Sequence, residues 1–110
     1  MEEIFDSAVR PKGDLAGVFE FDGESAWFYL YATPEDRGHF VMDSLHIFSG
    51  ALDFSASDVD VRWDKTDTSV GLFINDVLWA AFDCSQRKGH GGNYKLGGHS
   101  SVPASLVARF

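Results

Sequence analysis

Short runs of aromatic and aliphatic residues, separated by Gly, Pro, Asn and Asp, recur along most of the chain. The clearest alternation is in residues 58–64, where apolar residues take every second position and charged residues take the others. A period of two is typical of an antiparallel strand with one side in solvent. The pattern predicts a mainly β fold and places Asp58, Asp60 and Asp64 on the exposed side of this strand.

An Asp22-Gly23 pair joins two β-type runs, residues 18–21 and residues 25–32. Glycine accepts the positive φ of a tight turn, so this segment predicts a β-hairpin. Residues 45–49 predict a third strand. Segments rich in Pro, Gly and charged residues predict turns at residues 11–14 and 33–38.

A second hairpin is predicted at Asn75-Asp76, which lies between the apolar runs 69–74 and 77–82. A two-residue loop would pair Ile74 with Val77, Leu72 with Trp79, and Val70 with Ala81. Both faces of this hairpin are apolar, as are both faces of residues 26–32. Such strands are covered on two sides, so a second sheet or a helix must pack on them. Apolar residues near the chain ends are candidates for this cover: Ile4, Phe5, Val9, Val102, Leu106, Val107 and Phe110.

The length and composition suit one domain over residues 1–110, with 45% hydrophobic and 24% charged residues. We expect an antiparallel meander or sandwich of about six strands. Pro103 can open a short C-terminal helix, because its missing N–H matters least in a first turn. A last strand through residues 106–108 is the alternative. The longest apolar run, residues 26–32, is far shorter than the ~20 residues that span a bilayer.

The chain is acidic, with 17 acidic and nine basic residues and a net charge of −8. Residues 1–83 hold all 17 acids and five bases (−12), whereas residues 84–110 hold four bases and no acid (+4). A negative field repels nucleic acids and anionic membranes, so we expect neither as a partner. A basic protein is the favoured partner. In the alternative interpretation, the basic C-terminal segment packs against its own acidic domain.

Five acidic residues are therefore candidates for binding a basic partner: Asp22, Glu24, Asp58, Asp60 and Asp64. Electrostatic steering by such a surface raises an association rate by about tenfold or more at low salt. The alternative is that these carboxylates only keep the protein soluble and a strand edge unpaired. Self-association as a homodimer, through exposed apolar sheet surface, is a further hypothesis.

Residues 89–99 contain five of the 11 glycines and follow the basic pair Arg87 and Lys88. Exposed backbone N–H groups beside a lysine can hold a phosphate, although the spacing of known phosphate-binding loops is absent. Residues 84–99 as a whole predict an alternative small-molecule or nucleotide site beside the sheet, which could be enzymatic. Its candidate residues are Trp79, Lys88, His90, Tyr94 and Lys95. A plain surface loop is the competing interpretation.

The single cysteine, Cys84, cannot form an internal disulfide, and the first ten residues lack the apolar segment of a secretory signal. We therefore expect a cytoplasmic protein. Gaps of five and eight residues separate Cys84, His90 and His99, which does not fit zinc-ligand spacing. We expect no metal, no cofactor and no catalytic residue; a Cys84 nucleophile activated by one of these histidines is the enzymatic alternative.

Four segments carry a resemblance to a known family: residues 19–29 (FEFDGESAWFY), 45–48 (LHIF), 73–76 (FIND) and 80–83 (AAFD). They resemble a family of short acidic bacterial proteins known only as a domain of unknown function. The resemblance covers about residues 18–84, and residues 85–110 lie outside it. It implies a bacterial origin but no particular activity. In size and charge such proteins are similar to immunity proteins, so neutralisation of a cognate toxin is one form of the basic-partner hypothesis.

Overall fold

The computed structural model describes residues 3–33, 38–95 and 98–110, and within them the chain forms two antiparallel sheets and one short α-helix. The first sheet contains β1 (Ile4–Val9), β2 (Leu15–Phe21), β3 (Ser25–Ala32) and β4 (Phe40–Ser49). The second contains β5 (Val59–Trp63), β6 (Ser69–Ile74), β7 (Val77–Asp83) and β8 (Lys88–Gly91). A 3-10 turn at Ala56–Asp58 precedes β5, and α1 spans Ala104–Val107. Neighbours in sequence are neighbours in each sheet.

The mainly β class and the short C-terminal helix are confirmed, but the count of six strands was wrong. Residues 4–9, expected to cover a sheet, form the edge strand β1 instead. The glycine-containing β8 pairs with β7 although its sequence, KGHG, has low β-propensity. The predicted third strand begins five residues earlier, at Phe40. Residues 34–37 of the predicted turn lie outside the described residues.

The two sheets face each other around one hydrophobic core. Phe19 and Phe28 of the first sheet and Phe82 of the second are almost fully buried. The rings of Phe28 and Phe82 stack across the interface, with centroids 5.1 Å apart. Side chains that alternate along each strand thus supply one inward face per sheet.

The edge strands β1 and β5 lie side by side and run in the same direction. The N–H of Val61 donates to Oδ2 of Asp6 at 3.0 Å, and Nε1 of Trp63 donates to the Ala8 carbonyl at 3.0 Å. The start of β1 is therefore next to the start of β5. As a result, the β2–β3 and β6–β7 turns lie at one end of the molecule, and the β1–β2, β5–β6 and β7–β8 turns lie at the other.

The hairpin between β6 and β7 turns at Asn75-Asp76, and its first residue pair is as predicted. A β-bulge between Leu72 and Phe73 then shifts the register. Beyond it, Leu72 pairs with Ala80 rather than Trp79, and Val70 pairs with Phe82 rather than Ala81. One extra residue in a strand moves the following side chains to the other face. Phe82 consequently enters the core, and Ala81 faces outward.

The C-terminal segment covers the outer face of the second sheet. Val102 and Leu106 are buried against Phe73 and Leu78, and Phe110 packs at the edge of this cluster. The expectation that the end of the chain covers a strand is thus correct for these residues, whereas Val107 points to solvent. No helix among the residues described is long and apolar enough to cross a membrane.

Candidate functional site

The outer face of the first sheet is rich in aromatic residues. The strand register sets three rows of side chains across β1 to β4. They are Phe5, Glu20, Trp27 and His46; Ser7, Val18, Tyr29 and Ser44; and Val9, Ala16, Tyr31 and Val41. Because residues directly opposite one another on neighbouring strands share a face, these twelve side chains form one surface, which we call the aromatic face.

Rings on the central strand β3 form a continuous stripe along this face. The centroids of Trp27 and Tyr29 are 6.4 Å apart, and those of Tyr29 and Tyr31 are 6.0 Å apart. The imidazole of His46 meets Trp27 edge-on at 4.9 Å. Burial raises the pKa of the Tyr29 phenol, and the charge of Glu20 adds to this rise. The stripe is half-buried, with Glu20 beside it.

The aromatic face differs from an ordinary solvated sheet, in which polar residues point outward. Phe5, Val9 and Val41 on its flanking strands are 66%, 59% and 47% exposed. The C-terminal segment lies on the second sheet, and the elements with which β3 makes its main contacts are its own neighbours β2 and β4. The sequence predicted cover on both sides of β3, so this uncovered face is a correction. Contiguous exposed apolar surface marks interaction sites in soluble proteins.

One end of the molecule concentrates carboxylates. It contains the β2–β3 turn, the β6–β7 turn and the segment between β4 and β5. Backbone bonds tie these together: Gly50 N–H donates to the Glu24 carbonyl at 2.8 Å, and Asn75 N–H donates to the Asp58 carbonyl at 2.9 Å. The acidic residues here are Glu3, Asp22, Glu24, Asp53, Asp58 and Asp76, which we call the acidic end.

Three of the predicted partner-binding residues lie together at the acidic end: Asp22, Glu24 and Asp58. Oδ1 of Asp22 accepts from the N–H groups of Ser25 at 2.8 Å and Glu24 at 2.9 Å, and these bonds lower the pKa of Asp22. Oδ2 of Asp58 accepts from the Ser55 N–H at 2.9 Å. Lys95, a basic residue at this end, pairs with Asp53. The turns thus hold the Asp22 and Asp58 carboxylates at fixed positions, and the bonds to Asp22 favour its charged form.

Asp60 lies on the exposed side of β5, as predicted, but it is not a free carboxylate. Its Oδ2 is 3.1 Å from Nη1 of Arg62. The Arg62 guanidinium in turn lies over the ring of Phe73, 3.8 Å from its centroid. Asp60 therefore belongs to the second sheet and contributes less negative field than Asp22 or Glu24.

The placement of Asp64 on an exposed strand face was wrong, because β5 ends at Trp63 and the alternation stops there. Asp64 is only 4% exposed and lies at the end opposite to the acidic end. Its Oδ1 accepts from Thr68 N–H at 2.9 Å, which closes the β5–β6 turn. Its Oδ2 is 3.3 Å from Nε of Arg109. Asp64 is a structural ion-pair residue and not part of a docking surface.

Arg109 also binds a second buried carboxylate, that of Asp83, through Nη1 at 3.0 Å. Burial acts to raise the pKa of both Asp64 and Asp83, but hydrogen bonds from Thr68 and Ser85 together with Arg109 outweigh it and lower both pKa values. Of the four C-terminal bases, Arg109 thus pairs with Asp64 and Asp83, and Lys95 pairs with Asp53. The C-terminal segment does pack against its own domain, while Asp22, Glu24 and Asp58 form no ion pair within the described part of the chain.

The five residues of the alternative ligand site do not form one site. Trp79 is buried and meets the Tyr94 ring edge-on at 4.8 Å. The Tyr94 hydroxyl donates to Oδ1 of Asp53 at 3.2 Å, and Lys95 pairs with the same carboxylate. Burial and the nearby Asp53 raise the pKa of Tyr94 to about 12. Trp79, Tyr94 and Lys95 are thus packed against or paired with residues of their own domain.

Lys88 and His90, the other two members of that set, lie in the walls of two different cavities. His90 borders a small cavity of about 160 Å³ beside α1 and Arg109. Lys88 borders a larger cavity of about 610 Å³, together with Cys84. The first three residues of the predicted 89–99 loop belong instead to β8 (Lys88–Gly91), because their backbone pairs with β7. Gly97 of that loop lies outside the described residues.

The enzymatic alternative gains no support from Cys84. Burial raises the pKa of its thiol, although Arg10 opposes this effect. A protonated thiol is a weak nucleophile. In residues 3–33, 38–95 and 98–110, no three His, Cys, Asp or Glu side chains are arranged to hold a metal ion.

A family model described as "Uncharacterized protein conserved in bacteria (DUF2251)" matches residues 2–96 of the 110. The match confirms the family resemblance and extends it to β1 and to residues 85–96, which were expected to lie outside. It therefore includes every strand of both sheets, and ends before α1. No curated protein and no solved structure matches the chain.

Proposed function

Since the chain belongs to a bacterial family of uncharacterised proteins, we propose its function from its surfaces: it is a non-enzymatic cytoplasmic protein that binds a basic protein partner. The binding surface is the aromatic face together with the adjoining part of the acidic end. Neutralisation of a toxin is one form of this role.

A contrast between the two sheets carries the proposal. The second sheet is apolar on both faces and has a cover on its outer face, formed by the C-terminal segment. The first sheet is also apolar on both faces, yet Phe5 and Val9 remain largely exposed. Burial of apolar surface stabilises a complex by about 25 cal/mol per Å² of area removed from water, before the costs of association. A partner protein would supply a cover for the residues of the first sheet that are exposed in the described part of the chain.

Charge favours a basic partner. Glu20 lies between Phe5 and Trp27 in the first row of the aromatic face. The β2–β3 turn continues from this row and carries Asp22 and Glu24. An arginine of the partner could stack its guanidinium on an aromatic ring and pair with a carboxylate at the same place. A second copy of this chain would instead bring the same carboxylates towards each other, which makes self-association the weaker candidate.

Affinity capture from a bacterial host extract, at low and high salt, tests this proposal. Phe5→Ser removes an exposed anchor, and Glu20→Lys reverses the charge within the aromatic face. The matched controls are Val107→Ser, an exposed apolar residue on α1, and Asp60→Lys on the second sheet. We expect a basic protein to be retained by the parent and both controls and to be lost with either test variant. Equal retention by all five proteins would contradict the proposal.

Sedimentation velocity distinguishes a different protein as the partner from a second copy of this chain. A monomer at all concentrations supports a heterologous partner. A dimer that Phe5→Ser converts to a monomer would assign the aromatic face to self-association and overturn the basic-partner proposal.

A further inference from the structure

The end opposite to the acidic end contains an open cavity of about 610 Å³ between the two sheets. This volume is within the range of roughly 300–1,000 Å³ that is typical of small-molecule sites. The cavity is separate from the aromatic face, because its walls come from the inward faces of the strands and from the β7–β8 turn. From its lining we propose that it binds a small organic anion with an apolar body, such as a medium-chain or aromatic monocarboxylate.

The floor of the cavity is apolar. Leu30 and Phe82 are buried core residues whose side chains reach it, and Leu15 and Met42 form its sides. Phe82 is held in place by its stack on Phe28. A hydrocarbon chain or ring placed on this floor would release water from apolar surface that the sheets leave open.

The rim of the cavity supplies positive charge. Arg87 and Lys88 follow β7 and are exposed. Neither forms an ion pair with a carboxylate among the residues described. Two other charged residues of the wall, Arg10 and Asp83, are already paired with residues outside it: Arg10 binds Asp14, and Asp83 binds Arg109. Asp43 is the remaining acid of the lining, so two available cations face one carboxylate.

The turn that carries these cations is fixed in place. Oδ1 of Asp83 accepts from the hydroxyl of Ser85 at 2.6 Å and from its N–H at 3.1 Å. Arg87 has a left-handed backbone conformation, with φ +53°. A residue held in this region is kept there by its surroundings. The backbone positions of Arg87 and Lys88 at the cavity rim are therefore set before any ligand binds, so that binding orders only their side chains.

Isothermal titration calorimetry with three probes tests the chemistry: octanoate, octylammonium and acetate. We expect octanoate to bind at least about tenfold more tightly than either, since octylammonium has the wrong charge and acetate lacks the apolar body. A tenfold preference corresponds to about 1.4 kcal/mol. Cys84 gives a second readout, because it lines the cavity: octanoate should slow its reaction with a thiol reagent. Equal binding of octanoate and octylammonium, or no effect on the Cys84 reaction, would overturn the proposal.

Variants locate the site. The double variant Arg87→Gln/Lys88→Gln should weaken octanoate binding by about tenfold or more. Lys12→Gln/Lys65→Gln removes two cations from the same end that do not line the cavity, and should leave the affinity within about twofold. An equal loss of octanoate affinity in both double variants would mean that the anion is attracted only by the general positive charge of this end. That result would refute the site. Met42→Glu, at an exposed wall position, adds a second free carboxylate against the two cations and should remove most of the preference for octanoate over octylammonium.

A final control distinguishes the cavity from the partner-binding surface. Phe5→Ser lies on the aromatic face and should leave octanoate binding unchanged. Loss of octanoate binding in Phe5→Ser, with full binding in Arg87→Gln/Lys88→Gln, would place the ligand on the aromatic face and overturn the cavity proposal. The basic-partner proposal is tested separately by affinity capture, so the partner proposal and the cavity proposal can fail independently.

Discussion

Nη1 of Arg109 lies 3.0 Å from Oδ2 of Asp83, a residue 26 positions earlier in the chain. The same guanidinium reaches Asp64, and the Arg109 carbonyl accepts from the Lys65 N–H at 3.3 Å. A four-residue helix such as α1 is not stable by itself. The C-terminal segment is therefore fixed by this ion-pair network at its end and by apolar packing along its length.

Arg109→Gln should lower the free energy of unfolding by about 2–3 kcal/mol. Removing one member of a buried ion-pair group leaves the others buried and uncompensated, which costs roughly 3–5 kcal/mol when burial is complete. We expect a smaller loss than for complete burial because the Arg109 side chain is about one third exposed. Urea denaturation measures the change. Lys95→Gln is the matched control: its pair with Asp53 is exposed, so a loss within about 1 kcal/mol is expected.

The stability of the protein should fall steeply at acid pH. The folded-state pKa values of Asp64 and Asp83 are lower than the ordinary value of 3.8. Both groups therefore contribute stability at pH values above their unfolded pKa, and this contribution is lost as the pH falls through the folded pKa. Asp64→Asn should destabilise the protein most near pH 6, and the difference from the parent should shrink below about pH 3. Urea denaturation at several pH values checks this; a constant difference from pH 6 to pH 2.5 would contradict it.

Local signals in the sequence were sufficient to predict the mainly β class and the positions of two hairpins. Turn chemistry correctly located the hairpins at Asp22-Gly23 and Asn75-Asp76, because these residues tolerate the backbone angles that tight turns need. Alternation correctly put Val59 and Val61 on the side of the strand opposite to Asp60, and these two valines lie in the core. These features depend on neighbours in the chain, which a single sequence displays directly.

Features that depend on distant contacts could not be predicted. The ion pair of Asp64 joins residues 45 positions apart, so alternation alone placed this carboxylate in solvent. The bulge beside Leu72 reversed the faces of the following residues without a distinguishing sequence signal. The aromatic face was missed because Trp27 and its neighbours have the composition of a buried strand. The outward direction of Phe5 and Val9 becomes evident only once β1 is paired with β2.

Gly91→Ala should destabilise the protein far more than Gly50→Ala. Both glycines have positive φ, +87° and +109°, so both substitutions introduce backbone strain of about 1 kcal/mol. At Gly91 a Cβ would also overlap the Trp79 carbonyl oxygen, which accepts a hydrogen bond from Gly92 N–H, whereas nothing lies within 4 Å of a Cβ at Gly50. We expect losses of about 3 kcal/mol or more at Gly91 and about 1 kcal/mol at Gly50. Similar midpoints in thermal denaturation for the two variants would show that the backbone of β8 is not held against β7 as described.

Leu106→Ala should lower the free energy of unfolding by about 2–4 kcal/mol, because Leu106 is 4% exposed and packs on the second sheet. Val107→Ala is the matched control, since Val107 is 44% exposed and should lose less than about 0.5 kcal/mol. Amide hydrogen exchange over residues 98–110 should also become faster in Leu106→Ala than in Val107→Ala. Equal stability and equal exchange would mean that the C-terminal segment does not pack on the second sheet. The contrast between a covered second sheet and an exposed first sheet would then disappear, and with it the main argument for a partner on the aromatic face.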